Sequence, residues 1–328
     1  MRGDRTRVGH PAILLACLVG CLTIRGSSYA SDLEPYPLPP EVGASIEKLA
    51  ARSNVLIVGE VHGTREVPRL VAALLSPLNQ LGYRVLALEV PNDAQAPLLA
   101  WARGETDKAP DFFANPNGDG RGNVQLLELV RTAIAPPFRW QVVCFDESEV
   151  GLEKKYAALI KTRQTRGTDS SHAPFSADDE VALWRERDAT MASNLAKETR
   201  TLKSKDKVLA ICGNFHARTR HAAKDPMLSK FWPSFAEMVK QGQPAWRVSS
   251  VDIAFASGAY FNQGKVQTIR GRPVERAEVR PADATEWDLV IGLPKASPAS
   301  FLSGNPNSPD GRAVKEDTGP PRVPGTKR

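Results

Sequence analysis

Short apolar, β-branched runs alternate with helix-patterned segments along most of this chain, and that alternation constrains its fold more than any other feature. Val55-Leu56-Ile57-Val58, Arg84 to Leu88, Trp140 to Phe145 and Lys207 to Cys212 read as buried strands, closed by Gly59, Glu89, Asp146 and Gly213. Between them, Val67 to Leu81 (punctuated by Pro77), Ala94 to Arg103, Val124 to Ile134 and Asp179 to Leu202 carry helical spacing. Trp246 to Ala256 and Glu286 to Gly292 supply two more strands, with irregular or hairpin structure from Gly264 to Val279. Strands apolar on both faces, separated by helices, predict an α/β fold: a mostly parallel central sheet with helices on both faces and a single main domain. In such sheets ligands bind beyond the carboxyl ends of the strands.

That domain is expected over 45–293 of the 328 residues, after a Pro-rich lead-in at 31–44. From Pro294 onward Pro, Gly, Ser and Asn dominate, so 294–328 is expected to be a disordered tail. Thr165 to Asp178 reads as a polar surface loop. At the other end, Arg2, Arg5 and Arg7 precede the apolar run Pro11 to Ile24 and the small-residue site Ser28-Tyr29-Ala30. Residues 1–30 therefore read as an export signal, placing the protein in the periplasm or cell envelope. Leu18-Val19-Gly20-Cys21 is similar to a lipobox, which would tether the protein to a membrane through a lipid on Cys21; the apolar Leu22-Thr23-Ile24 that follows counts against it. No later apolar run approaches the roughly 20 residues a membrane span requires.

The net charge of +6 invites a nucleic-acid reading until it is located. Residues 1–30 and 294–328 each carry +3, which leaves the domain neutral and without a general pull on phosphate backbones. Nucleic acid is set aside as a partner. Cys144 and Cys212 lie in apolar strands and read as buried thiols.

Four strand ends carry polar groups: Glu60 and His62, Glu89, Asp146 with Glu147, and Asn214 with His216. Glu60 and His62 are two apart, so extended backbone turns both to one side. Glu66 lies one turn further on and would point back if a helix starts near Thr64. Carboxylates beside imidazoles suit two chemistries. A histidine oriented by a carboxylate takes a proton from attacking water, or Glu60, His62 and His216 hold a divalent metal that acidifies bound water. Taken singly, each has a bland explanation: a strand-end histidine is usually structural, Glu89 before Val90-Pro91 would cap a turn, and Asp146-Glu147-Ser148 reads first as a helix start. Their joint occurrence at strand ends favours function.

Gly59-Glu60-Val61-His62-Gly63-Thr64-Arg65-Glu66 resembles the opening motif of erythromycin-esterase-like proteins, and its short Gly-Glu-x-His form is similar to their ChaN-like haem-binding and Tiki-type branch. Arg187-Asp188-Ala189-Thr190-Met191-Ala192-Ser193-Asn194-Leu195 resembles the Arg-Asp-x-x-Met-Ala-x-Asn-Leu helix of that superfamily, and Gly213-Asn214-Phe215-His216 its later Gly-x-x-His element. The resemblance implies that His62 is a general base or metal ligand with Glu60 orienting it. Glu89 would be a second acid, His216 would face His62, and Arg187 would stabilise negative charge, with Met191 and Leu195 packed beneath. Macrolide-inactivating members carry a further histidine where this chain has Gly213, and the stretch after Glu66 lacks the histidine that the haem-binding branch places there. The expected function is an exported hydrolase cleaving an ester or amide bond of a small molecule or peptide, with a divalent metal or without one. The alternative is a haem- or metal-binding protein, lipid-anchored or free, without turnover; an inert interaction module is a third reading. Nothing in the sequence fixes an oligomeric state.

Overall fold

The computed structural model describes residues 33–114, 118–165, 177–203, 205–222, 224–280 and 286–302. A seven-stranded sheet runs through them in the order β3-β2-β4-β1-β5-β9-β8. Its strands are β1 (Val55–Glu60), β2 (Tyr83–Pro91), β3 (Gln141–Asp146), β4 (Lys207–Gly213), β5 (Val248–Phe255), β8 (Glu278–Arg280) and β9 (Leu289–Leu293). All neighbours pair in parallel except β8 against β9. A separate antiparallel hairpin joins β6 (Ser257–Asn262) to β7 (Lys265–Arg270).

Alternate residues of each strand feed two cores. Leu56, Val58, Leu86, Leu88, Leu209 and Ile211 pack beneath helices α1 (Pro40–Ala51), α2 (Glu66–Gln80), α3 (Gln95–Ala102) and α4 (Val124–Ile134). Val55, Ile57, Val85, Val143, Phe145, Ala210 and Cys212 pack beneath α6 (Ala177–Glu198) and α8 (Phe235–Gly242), with Met191 and Leu195 of α6 fully buried among them. Both faces are covered, which is why the strands are apolar throughout. Two further α-helices, α5 (Glu149–Thr165) and α7 (Pro226–Lys230), and two short 3-10 turns (Asn92–Ala94 and Asp111–Ala114) complete the described elements. Among the described residues no helix is long and apolar enough to cross a membrane.

From β1 the chain moves outward to β2 and β3, returns to place β4 between β2 and β1, then continues on the other side with β5. The direction of winding therefore switches beside β1 and β4, the position at which an open α/β sheet forms a ligand crevice.

Three expectations need correcting. The lead-in to 44 gives way at Pro40 to α1, because proline is tolerated in a first turn where its missing N–H would have no helical partner. The hairpin begins at Ser257, ahead of Gly264, with Gln263 and Gly264 both at positive φ in its turn. The chain is also packed beyond Pro294. Ala296, Ala299 and Phe301 are buried, the Ala299 amide donates to the Gly63 carbonyl (2.8 Å) and the Arg65 amide to the Ser297 carbonyl (3.0 Å). Three small or aromatic apolar residues in a polar stretch suffice to dock it. The expected signal, its Cys21, and residues 303–328 lie outside the described residues, as does most of the expected loop from Thr165 to Asp178. Cys144 and Cys212 are buried free thiols; burial raises the Cys144 thiol to about 12.

Candidate active site

β1, β2, β3 and β4 end side by side, and each contributes to one crevice. Glu60, the last residue of β1, is buried, and its Oε1 lies 2.9 Å from Nδ1 of His62. A ring proton on Nδ1 bonded to that carboxylate leaves the lone pair on Nε2. Nε2 lies 3.8 Å from Oε2 of Glu89, and the His62 side chain is 21% exposed, so this ring is the more accessible of the two imidazoles. Gly213 makes the approach: a Cβ there would stand 2.8 Å from His62 Nε2.

Glu89 is the centre of the constellation. Its Oε2 accepts from the Gly213 amide (2.6 Å), and its Oε1 accepts from Arg187 Nη2 (2.5 Å) and Arg121 Nη1 (3.1 Å). His216 approaches the same Oε1 with Nε2 at 3.7 Å, so the two imidazoles face Glu89 from opposite oxygens. His216 is buried, with its Nδ1 hydrogen-bonded to Asp188 Oδ1 and its ring stacked on Trp184 at 4.7 Å. Each histidine is thus oriented at Nδ1 by its own carboxylate while Nε2 points inward.

The two arginines lock the strand ends together. Arg187 donates through Nε to Asp146 Oδ1 (3.0 Å) and through Nη2 to Asp146 Oδ2 (2.7 Å), and its Nη1 faces His216 Nε2 at 3.3 Å. Arg121 bonds Asp146 Oδ2 and, through Nε, Asp119 Oδ2 (2.8 Å). Helix α6 is itself tied to β3 by Asn194 Nδ2, which donates to the Phe145 carbonyl (3.2 Å).

Five carboxylates, those of Glu60, Glu89, Asp119, Asp146 and Asp188, therefore surround two guanidiniums and two imidazoles. Burial is the largest single influence on Glu89 and would raise its carboxyl, but His216, Arg187, His62 and Arg121 together hold it down at about 2. Burial would likewise raise Asp146, but Arg121 and Arg187 outweigh it and hold the carboxyl well below the usual carboxylate range. For His62, burial works against the charged ring, yet Glu89, Glu60 and Asp119 outweigh it and lift the imidazole above its ordinary value. Asp188 goes the other way: burial raises its carboxyl despite His216, and its Oδ2 is buried without a hydrogen-bond partner among the described residues.

The structure brings Glu60, His62, Glu89, Arg187 and His216 into a single crevice. It changes the reading of several neighbours. Arg187 reaches in from α6, but the charge its Nε and Nη2 neutralise is that of Asp146 and Glu89 rather than open space. Asp146 does more than start a helix: Ser148 Oγ accepts the Gly151 amide (3.1 Å) at the start of α5, and the Asp146 carboxylate holds both arginines. Glu66 turns away from the crevice and accepts the Ser297 amide (2.9 Å), holding the C-terminal segment. The α2 N-terminus has no side-chain cap, since Thr64 Oγ1 donates to the Val61 carbonyl instead.

Sequence reasoning assigned no role to Asp188, Trp184, Arg121 or Asp119. Asp188 sat within the Arg-Asp motif, whose second residue was the available signal. Arg121 lies on a loop held against Gly63 by Gly120 at φ +94°, and carries no periodic signal.

The metal expectation for Glu60, His62 and His216 does not fit this donor set. Among the described residues no three His, Cys, Asp or Glu side chains are grouped to hold a metal ion. Glu60 Oε1 is taken by His62 Nδ1, His216 Nε2 faces the Arg187 guanidinium at 3.3 Å, and two guanidiniums already neutralise the Glu89 carboxylate between the rings, where a dication would meet like charge.

Neither a protein-family model nor a curated protein matches the sequence. Solved structures do. A variant erythromycin esterase in its open conformation matches with a TM-score of 0.57 at 12% identity, over 83% of this chain and 98% of that one. A succinoglycan biosynthesis protein matches at 0.53 and 12% identity, over 81% and 94%. A protein from Bacillus cereus matches at 0.52 and 13%, again over 81% and 94%. At these identities the likeness is one of fold: this chain shares its mostly parallel α/β architecture with these three structures.

Proposed function

We propose that this chain is an exported hydrolase that cleaves an ester or amide bond, with His62 as general base. The observation that carries this is the Glu60–His62 pair, 2.9 Å apart, on a ring whose side chain is partly exposed and whose opposite nitrogen faces Glu89. In this reading His62 Nε2 takes a proton from water as the water oxygen attacks the carbonyl carbon. The carbonyl π electrons move to oxygen, and in this reading the Arg187 guanidinium, held beside the crevice by Asp146 and Glu89, supplies the positive charge that stabilises it. Collapse of the tetrahedral intermediate breaks the bond to the leaving group, which recovers the proton from His62. Glu60 fixes the tautomer, and Asp188 with Trp184 fixes His216. Glu89, ionised and immobilised, sets the spacing of the two rings and raises His62.

General-base assistance contributes roughly 10²- to 10⁴-fold. His62→Gln should lower kcat/KM by that order on whichever member of an ester and peptide panel the protein cleaves, while His221→Gln, at a surface contact to Ser229, should not. Undiminished turnover in His62→Gln would remove the proposal. Capture of haem or a metal without turnover draws less support, because His216 is buried and faces protein partners at both nitrogens. Export is proposed on the pattern from Arg2 to Ala30, with a lipid on Cys21 as the competing reading of the same segment; the mass of the mature protein distinguishes cleavage after Ala30 from lipidation.

A further inference from the structure

A cavity of about 360 Å³ opens at the ends of β2 and β3, beside the candidate active site. Pro91, Pro97, Pro110 and Phe112 form its apolar lining. It shares a wall with the candidate active site. Pro91 stands opposite Asp146 in the β2–β3 ladder, and the Phe112 ring lies 5.6 Å from the guanidinium carbon of Arg121, whose other side bonds Glu89 and Asp146. Its size falls at the lower end of small-molecule sites, which suits one ring-sized portion of a ligand rather than a whole one.

Charge narrows the chemistry. Asp93, Asp111 and Glu149 also line the cavity, against one cation, Lys108, which pairs with Asp111 at 3.2 Å. Asp93 and Glu149 are exposed at the rim, and Glu149 sits in the first turn of α5. Proline and phenylalanine faces below a negative rim favour a ring carrying a positive charge.

We propose that this cavity is the subsite for a cyclic apolar group bearing an amine, which it holds while the scissile carbonyl lies at His62. The inference deepens the hydrolase reading and rests on it for the second half of that statement only.

The test uses the full chain and two arms. In the first, kcat/KM is compared for the 4-nitrophenyl esters of 4-(dimethylaminomethyl)benzoate and 4-methylbenzoate. Wild type should prefer the cationic ester, and the exposed double variant Asp93→Asn/Glu149→Gln should reduce that preference roughly three- to tenfold with the neutral ester unchanged. An equal preference in both proteins overturns the subsite. In the second arm, calorimetry follows benzylamine and benzyl alcohol. Benzylamine should bind more tightly, lose that advantage in the double variant, and fail to bind when Ala109→Trp fills the cavity. If neither ester is cleaved but the second arm succeeds, the hydrolase reading fails and the subsite stands; benzylamine binding unaltered by Ala109→Trp overturns the subsite whatever the first arm gives.

Discussion

Gly213 and His62 are in contact across the β1–β4 boundary, and any side chain at 213 would begin 2.8 Å from the His62 Nε2 atom. The main-chain amide of the same glycine donates to Glu89, so this residue both admits the ring and anchors the acid beneath it. Gly213→Ala should keep the fold, because nothing requires a positive φ there, but push the imidazole off its place. The expected outcome is a fall in kcat/KM of at least tenfold with thermal stability within a few degrees of wild type. Crystallography of the variant would show the displaced ring; unchanged turnover would mean that the His62 position is immaterial.

The acid limb of the pH–rate profile should lie above pH 6.5, because Glu89, Glu60 and Asp119 raise His62 against the effect of its burial. A base must be neutral to act, so activity rises as pH climbs through that raised value. Glu60→Gln removes one of the stabilising charges. The limb should then move to lower pH, while the plateau rate falls because the amide no longer enforces the Nδ1–H tautomer. A limb that stays in place would separate Glu60 from His62.

Arg187→Met would remove one of the two guanidiniums that Glu89 and Asp146, both nearly inaccessible, share, and leave them Arg121 as the guanidinium partner among the described residues. Breaking one side of a buried ion network costs about 3–5 kcal/mol. A loss of that order should appear in urea unfolding. Arg187→Lys should recover part of it, since an ammonium restores charge but not the fork that reaches both acids at once.

Acid should destabilise the protein earlier than a sheet of this apolar content would suggest. Glu89 is held at about 2 and Asp146 lower still, so their contribution is complete above the ordinary carboxylate value near 4 and is lost as pH falls towards the folded values. His62 has the opposite sign: its raised value favours folding below pH 6.5, and that gain disappears as pH rises through it. Urea midpoints measured from pH 6 to pH 2 should therefore decline, and decline less in Arg187→Met, whose carboxylates have already lost a partner.

Asp188→Asn should uncouple His216 from α6. An amide that donates to Nδ1 would force the ring proton onto Nε2, reversing the group presented to Glu89 and Arg187. Turnover should drop about a hundredfold or more with little change in folding, as for other histidines given the wrong tautomer. The ring nitrogen shifts of His216 by NMR report the switch directly.

Much of this arrangement was written in short-range pattern. Glu60 and His62 are legible because extended backbone returns a side chain to the same side every second residue, and Glu89 because it ends an apolar run. Arg187 came with Met191 and Leu195 at helical steps. What escaped notice depends on contacts across long stretches of chain. Arg121 enters from a loop whose course is fixed by Gly120 packing on Gly63 and the Phe261 carbonyl, and no local pattern encodes that docking. Asp146 looked like a helix-start residue because the same three letters do start a helix; the choice between the two roles was made by arginines 25 and 41 positions away. Asp188 was hidden by its neighbour, since adjacent helical residues normally face apart, and only the turn holding His216 brings its target within reach.

The Gly63 carbonyl, immediately after His62, accepts from the Phe261 amide at 3.0 Å and the Ala299 amide at 2.8 Å. The segment around Ser297 and Ala299 thus acts as a buckle on the loop that bears the base. Trimming the chain at Leu293, where the last strand stops, would look harmless from the sheet alone, yet it would undo that fastening and let the imidazole wander. A shortened version could then fold, melt cooperatively and still be idle, for want of a few residues that the strand pattern does not count as part of the domain.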